Sequence, residues 1–195
     1  MLTLWGKRRA SAPFALDALN TSPTAAYSFR RLFTAYDGPV IRLRRSGDDA
    51  ESDFGTNANG DLNEAAITAW LGGASAFLVT MYNQVGAANF TQPTAAAQPG
   101  FAAGGGDYGG SHRLFRTTEL PTQPGAVYVT LQADAKDANR VYWGTSGGTS
   151  YALAFVAVTT GRATTQSEVP LRVATSTKDL VDGSPHLCEH SWSAS

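Results

Sequence analysis

The sequence predicts a mainly β chain built as two modules, with one or two short helices in the first. Three observations predict it. Short apolar and β-branched runs recur at residues 40–43, 76–82, 126–131, 140–144 and 153–158. Gly, Pro, Asn and Asp clusters punctuate them, as turns require. Only residues 24–34 and 60–73 carry apolar residues at helical spacing.

Composition bounds the partners. A chain of 195 residues makes one ordinary domain or two small ones. The formal net charge of −1 gives no global attraction for nucleic acid or an anionic membrane, so neither partner is expected. Charged residues are only 16% of the chain, and small residues fill the difference. That suits closely packed β-structure or a subunit buried in an assembly. Cys188 is the sole cysteine, so no internal disulfide forms. No apolar run approaches the ~20 residues of a membrane helix. Lys7, Arg8 and Arg9 precede residues 10–14, a stretch too short and broken for a secretory core, so no Sec signal is expected. No cofactor is implied.

Residues 1–20 form an apolar-basic lead. Leu2, Leu4 and Trp5 read either as an arm that packs on another subunit or as a first strand. Ser22-Pro23 is a favoured helix start, and Ala26, Phe29 and Phe33 follow three to four apart, which predicts a helix over 24–34. Asp37-Gly38-Pro39 is a turn. Ile41 and Leu43 then alternate with Arg42 and Arg44, the period of a half-buried strand. Residues 46–53 read as an acidic loop closed by Phe54-Gly55. Asp48 and Asp49 are placed to pair with the arginines. A polyanion site on those arginines has no support from interleaved aromatics or a longer basic run.

Asp61 with Glu64 three residues on is a variant capping box. Leu62, Ala66, Ala69 and Trp70 continue the helix, and Gly72-Gly73 stops it. Residues 76–82 read as a central strand covered on both faces. Residues 83–111 read as loop. Gly104-Gly105-Gly106 lacks the Lys-Ser/Thr of a phosphate loop, so residues 104–111 are expected to be a Gly-rich linker between modules 1–103 and 112–195. The second module reads as a small antiparallel sandwich or barrel with strands at 126–131, 140–144, 153–158 and 169–174. Pro170 directs the last of these to a sheet edge, and 134–139 and 146–149 are turns.

Residues 34–99 resemble the front of the catalytic module of the α-L-arabinofuranosidase B family, a concanavalin A-like, lectin-like β-sandwich. Ala35-Tyr36-Asp37-Gly38-Pro39, Arg42 through Asp48, Asp53-Phe54-Gly55, the 60–70 helix and Tyr82-Asn83-Gln84 with Asn89 and Gln92-Pro93 carry the resemblance. The same block, with its lead-in at residues 16–32, is similar to segments of tail and other virion proteins of tailed phages and prophages. Asn83 stands where the family has a carboxylate, and residues 70–77 lack the family's cysteine pair. The family's nucleophile and general acid lie downstream in sequence this chain does not match. No catalytic residue is carried over.

Glycoside hydrolysis needs two facing carboxyls, one with a raised pKa. Asp48, Asp49, Glu51, Asp53, Asp107 and Asp134 all lie in polar, turn-like sequence, where little desolvation is expected. No Gly-x-Ser-x-Gly elbow is present, and His112 reads as a surface histidine. His186, Cys188 and His190 would share one face of a strand. They read as a plain C-terminal edge strand or, with a ligand from a symmetry-related chain, as a zinc site. Trp70, Tyr82, Asn83, Gln84 and Asn89 read either as sugar contacts or as a cluster satisfying its own loops.

Together these readings lead to an expected non-enzymatic, oligomeric subunit on the exterior of a phage-like particle: a head decoration, tail fibre or spike. It would contact other virion proteins and bind host surface polysaccharide. The alternatives are an arabinofuranosidase-like glycoside hydrolase and a stand-alone carbohydrate-binding module.

Overall fold

A computed structural model describes residues 14–19, 23–102, 105–107 and 113–115, and the backbone of six later segments within 125–192. The chain divides into two compact units, Met1–Thr118 and Glu119–Ser195. The architecture is mainly β, with one α-helix among the described residues and antiparallel pairing throughout.

The first unit is built on β1 (Ile41–Arg45) and β3 (Ala76–Met81). Alternation places Ile41 and Leu43 in the core, fully buried, while Arg42 and Arg44 face outward. β2 (Glu51–Phe54) pairs with β1, so residues 51–53 of the expected acidic loop are strand. Its outward Glu51 and Asp53 hid its period; Phe54 is its only buried residue. The tight turn between β1 and β2 places Asp49 at φ 56, a conformation aspartate tolerates. Arg45 N–H bonds Ala50 O at 2.8 Å, and Asp48 Oδ1 accepts from Ala50 N–H. The expected local charge pairing is present: Arg45 holds Asp48, and Arg44 holds Asp49.

β3 lies between β1 and β5 (Gly100–Ala102), with the two-residue β4 (Phe90–Thr91) also on β3. β6 (Gly105–Asp107) pairs with β5, so a strand occupies part of the stretch expected to link the modules. Among its described residues the 83–111 segment thus supplies three strands and a 3-10 turn at Ala95–Ala97 rather than loop alone. Its Ala and Gly residues gave no readable period.

The helix α1 spans Glu64–Leu71. Its N-cap is Asn63, whose side chain accepts from Ala66 N–H, not the expected Asp61. Gly72 ends it in the left-handed region at φ 57, as the Gly pair predicted. Ile67 of α1 joins Val40, Ile41, Leu43, Phe54, Leu62, Ala76 and Leu78 in the core. The helix expected at 24–34 is absent. That segment runs as irregular chain because its backbone groups bond remote partners: Ala26 N–H to Asn83, Leu32 N–H to Gln84 and Arg31 N–H to Gly60 O. Long-range hydrogen bonds outweigh the local helical spacing here.

In the second unit, β8 (Arg140–Gly144), β9 (Ala152–Val156), β10 (Arg162–Glu168) and β11 (Leu171–Asp179) form a sheet of order β11-β10-β9-β8. Among the described residues β11 is an outer strand of this sheet; it starts after Pro170, whereas the expected strand, 169–174, contained it. β10 is polar and Thr-rich and was not foreseen. β7 (Gly125–Leu131) pairs with β12 (His186–Trp192). The turns expected at 134–139 and 146–149 lie outside the described residues.

Candidate functional site

The outward face of β1 and β2 carries a compact polar group. Antiparallel register sets Arg42 opposite Asp53. Arg42 Nε and Nη2 donate to Asp53 Oδ1 and Oδ2 at 2.7 and 2.8 Å, a bidentate pair. Tyr82, just past the end of β3, donates its hydroxyl to the same Oδ1 at 2.7 Å. Glu51 lies two residues from Asp53 on the same strand face, its carboxylate 3.8 Å from Arg42 Nη1.

These contacts set the charge state. Arg42's hydrogen bonds, with Tyr82's behind them, hold the Asp53 carboxyl below its usual range despite partial desolvation. Burial and then the Asp53 hydrogen bond push the Tyr82 phenol up to about 12. Asp53 is therefore an ionised carboxylate near neutral pH, half-exposed and held by three donor contacts. Such a group stabilises positive charge on a bound ligand; it does not serve as a proton donor.

The residues singled out by sequence fall in three places. Trp70 packs its edge on Phe54 at 5.3 Å between ring centroids, and the Arg45 guanidinium lies 4.9 Å from its ring centre. Phe54 faces the core and Asp53 faces out, so Trp70 and Tyr82 lie on opposite faces of the sheet. The amides form a third group. Asn83 Oδ1 accepts from Ala26 N–H and Val85 N–H, and Asn89 Oδ1 accepts from Asn83 N–H. Gln84 Oε1 accepts from Leu32 N–H at 2.8 Å, while its Nε2 donates to Arg30 O at 2.7 Å. Asn83 and Gln84 are buried, and their bonds tie residues 26–32 to the end of β3.

Of the other expected sites, Leu2, Leu4 and Trp5, with His112 and Asp134, lie outside the described residues. His186, Cys188 and His190 occupy alternate positions of β12, in register with Leu131, Val129 and Val127 of β7. Among the described residues, no group of three His, Cys, Asp or Glu is placed to hold a metal. Sequence named Asp53 as one of six carboxylates and within the Asp53-Phe54-Gly55 motif, with no partner. Its link to Tyr82 spans 29 residues and comes from sheet register, which no local spacing shows.

The model of the alpha-L-arabinofuranosidase B catalytic domain matches residues 16–163, most of the chain. The chain belongs to this family. The match extends well beyond residues 34–99, where the resemblance was read. A solved arabinofuranosidase complexed with arabinofuranosyl-alpha-1,2-xylobiose shares the fold, with TM-score 0.51 and 15% identity over 79% of this chain and 41% of that one. This arabinofuranosidase B family chain thus spans about two fifths of that enzyme's length. No curated protein matches it.

Two expectations are corrected by these findings. A non-enzymatic virion subunit (head decoration, tail fibre or spike) gives way because the family matched is that of a catalytic domain. The expectation that the chain is not an enzyme falls for the same reason. It rested on the missing downstream carboxylates and on Asn83, and neither removes the chain from the family.

Proposed function

We propose that this chain is a carbohydrate-active module of an arabinofuranosidase-like glycoside hydrolase acting on terminal α-L-arabinofuranosyl groups. The observation that carries the reading is the catalytic-domain match over residues 16–163. In this reading Asp53 supplies the negative charge that stabilises the oxocarbenium-like transition state, and Arg42 and Tyr82 keep it ionised and oriented. Release of 4-nitrophenol from the α-L-arabinofuranoside by the full chain tests it, with the arabinopyranoside as control. Furanoside-selective release supports the reading; no release, or equal release from both, counts against it.

One observation favours a second reading, carbohydrate recognition without hydrolysis. Asp53 is the carboxyl whose state is best fixed on the strand face, and it is held ionised rather than protonated. Saturable binding of an arabino-oligosaccharide with no turnover would distinguish this case.

A further inference from the structure

A cleft of about 500 Å³ opens at the N-terminal end of α1, and Asp53 is not among its lining residues. Phe29, Arg30, Asn57, Asp61, Asn63 and Glu64 line it. Its volume falls in the range of small-ligand sites, roughly 300–1,000 Å³. Phe29 is anchored from behind by Phe101, at 6.1 Å between ring centroids. Arg30 and Asp61 form an exposed ion pair at 2.7 Å.

The two asparagines are engaged on one side only. Asn57 Oδ1 accepts from Asn59 N–H and Asp61 N–H, and Asn63 Oδ1 accepts from Ala66 N–H. Their amide NH2 groups have no partner among the described residues. The cleft thus offers donors from Asn57, Asn63 and Arg30, acceptors from Asp61 and Glu64, and an apolar wall of Phe29, Leu62 and Ala65.

This mixture selects against simple ions. An anion would meet the carboxylates of Asp61 and Glu64. A cation would meet the Arg30 guanidinium, which already occupies Asp61. A purely apolar ligand would strip water from five polar side chains without replacing their hydrogen bonds. A neutral ring bearing several hydroxyls satisfies both donors and acceptors and lays its C–H face on Phe29.

We propose that this cleft is a second sugar subsite, built from residues other than the Asp53 group, that holds a neutral unit of an arabinose-containing oligosaccharide. The choice of an arabinose-containing ligand rests on the glycoside-hydrolase reading; the preference for a neutral polyol rests on the cleft alone. Asn57 and Asn63 donate to hydroxyls of the bound unit, Asp61 and Glu64 accept from them, and Phe29 supports the ring.

The test is residue-resolved NMR titration of the full chain with α-1,5-linked arabinotriose. An Asp53→Asn background prevents turnover. Saturable shifts at residues 57–65 are expected. Asn57→Asp and Asn63→Asp retain the oxygen that accepts from the backbone but remove the NH2 donor. Each should weaken cleft binding about fivefold to tenfold, the loss of one hydrogen bond, while the melting temperature holds or rises. Shifts confined to residues 42, 53 and 82, no saturable shifts, or affinities unmoved by both variants would overturn the proposal. Hydrolysis by the chain with Asp53 intact is read separately. Turnover without cleft binding removes the subsite and leaves the family activity standing; cleft binding without turnover does the reverse.

Discussion

Tyr82 donates its hydroxyl to the Asp53 oxygen that also accepts from Arg42 Nε, both at 2.7 Å. One carboxylate oxygen therefore ties the end of β3 to the β1–β2 pair. The phenol keeps its proton because its acceptor is charged and its surroundings are partly dry. Removing that charge should release it.

Asp53→Asn is expected to move the Tyr82 titration from about 12 back toward its ordinary value of 10, read from the ring signals by NMR. Burial, the larger cause, keeps the return partial. The sign for stability follows. The native state holds this proton more tightly than the unfolded chain, so the contribution is complete below pH 10 and is lost as pH rises from 10 to about 12. An unmoved Tyr82 titration in the variant would refute the coupling.

Acid should weaken the β1–β2 turn. Arg45's hydrogen bonds, then the Ala50 N–H, hold the Asp48 carboxyl at about 2, against an ordinary 3.8. A depressed native pKa gives stability that is present above 3.8 and lost as pH falls toward about 2. Asp53 and Asp17 shift in the same direction. Urea midpoints between pH 5 and pH 2 should fall for the unaltered chain and fall less steeply for Asp48→Asn. Equal slopes would contradict the assignment.

The amide cluster should matter to folding more than its position on a loop suggests. Gln84→Glu keeps an acceptor for Leu32 N–H but sets a carboxylate against Arg30 O, where an NH2 now donates. A loss of about 1–3 kcal/mol is expected from denaturant melts, the cost of a buried group left without its partner. Gln84→Leu should cost at least as much, since both bonds go.

Two further substitutions probe the core and a constrained turn. Ile67→Ala, on the buried face of α1, should cost about 2–5 kcal/mol through lost burial and the cavity left behind. Gly60→Ala should be destabilising by about 1–2 kcal/mol. Gly60 sits at φ 83, and a Cβ there would collide with the Phe14 ring. Thermal melts of the two variants check both values.

What the sequence revealed follows from how local each signal is. The alternation of Ile41 and Leu43 with arginines, the apolar run at 76–82 and the Gly72 stop are all local; each yields the expected element, the strand ending one residue early at Met81. β2 was hidden because its outward residues are acidic, and β10 because its seven residues are mostly polar. Residues 24–34 have helical spacing, but their N–H groups are claimed by Asn83, Gln84 and Gly60 from more than 25 residues away. The candidate site shows the same limit. Tyr82 and Asp53 were each noticed, but strand register alone makes them partners. Trp70, grouped with Tyr82 by proximity in sequence, turns to the other side of the sheet.

The most direct measurement is kcat/KM on 4-nitrophenyl α-L-arabinofuranoside for the unaltered chain beside Asp53→Asn. The account expects measurable turnover by the first and a fall of about a hundredfold or more in the second, the scale of losing a charge-stabilising group. No turnover by the unaltered chain, or equal turnover by both, would contradict it.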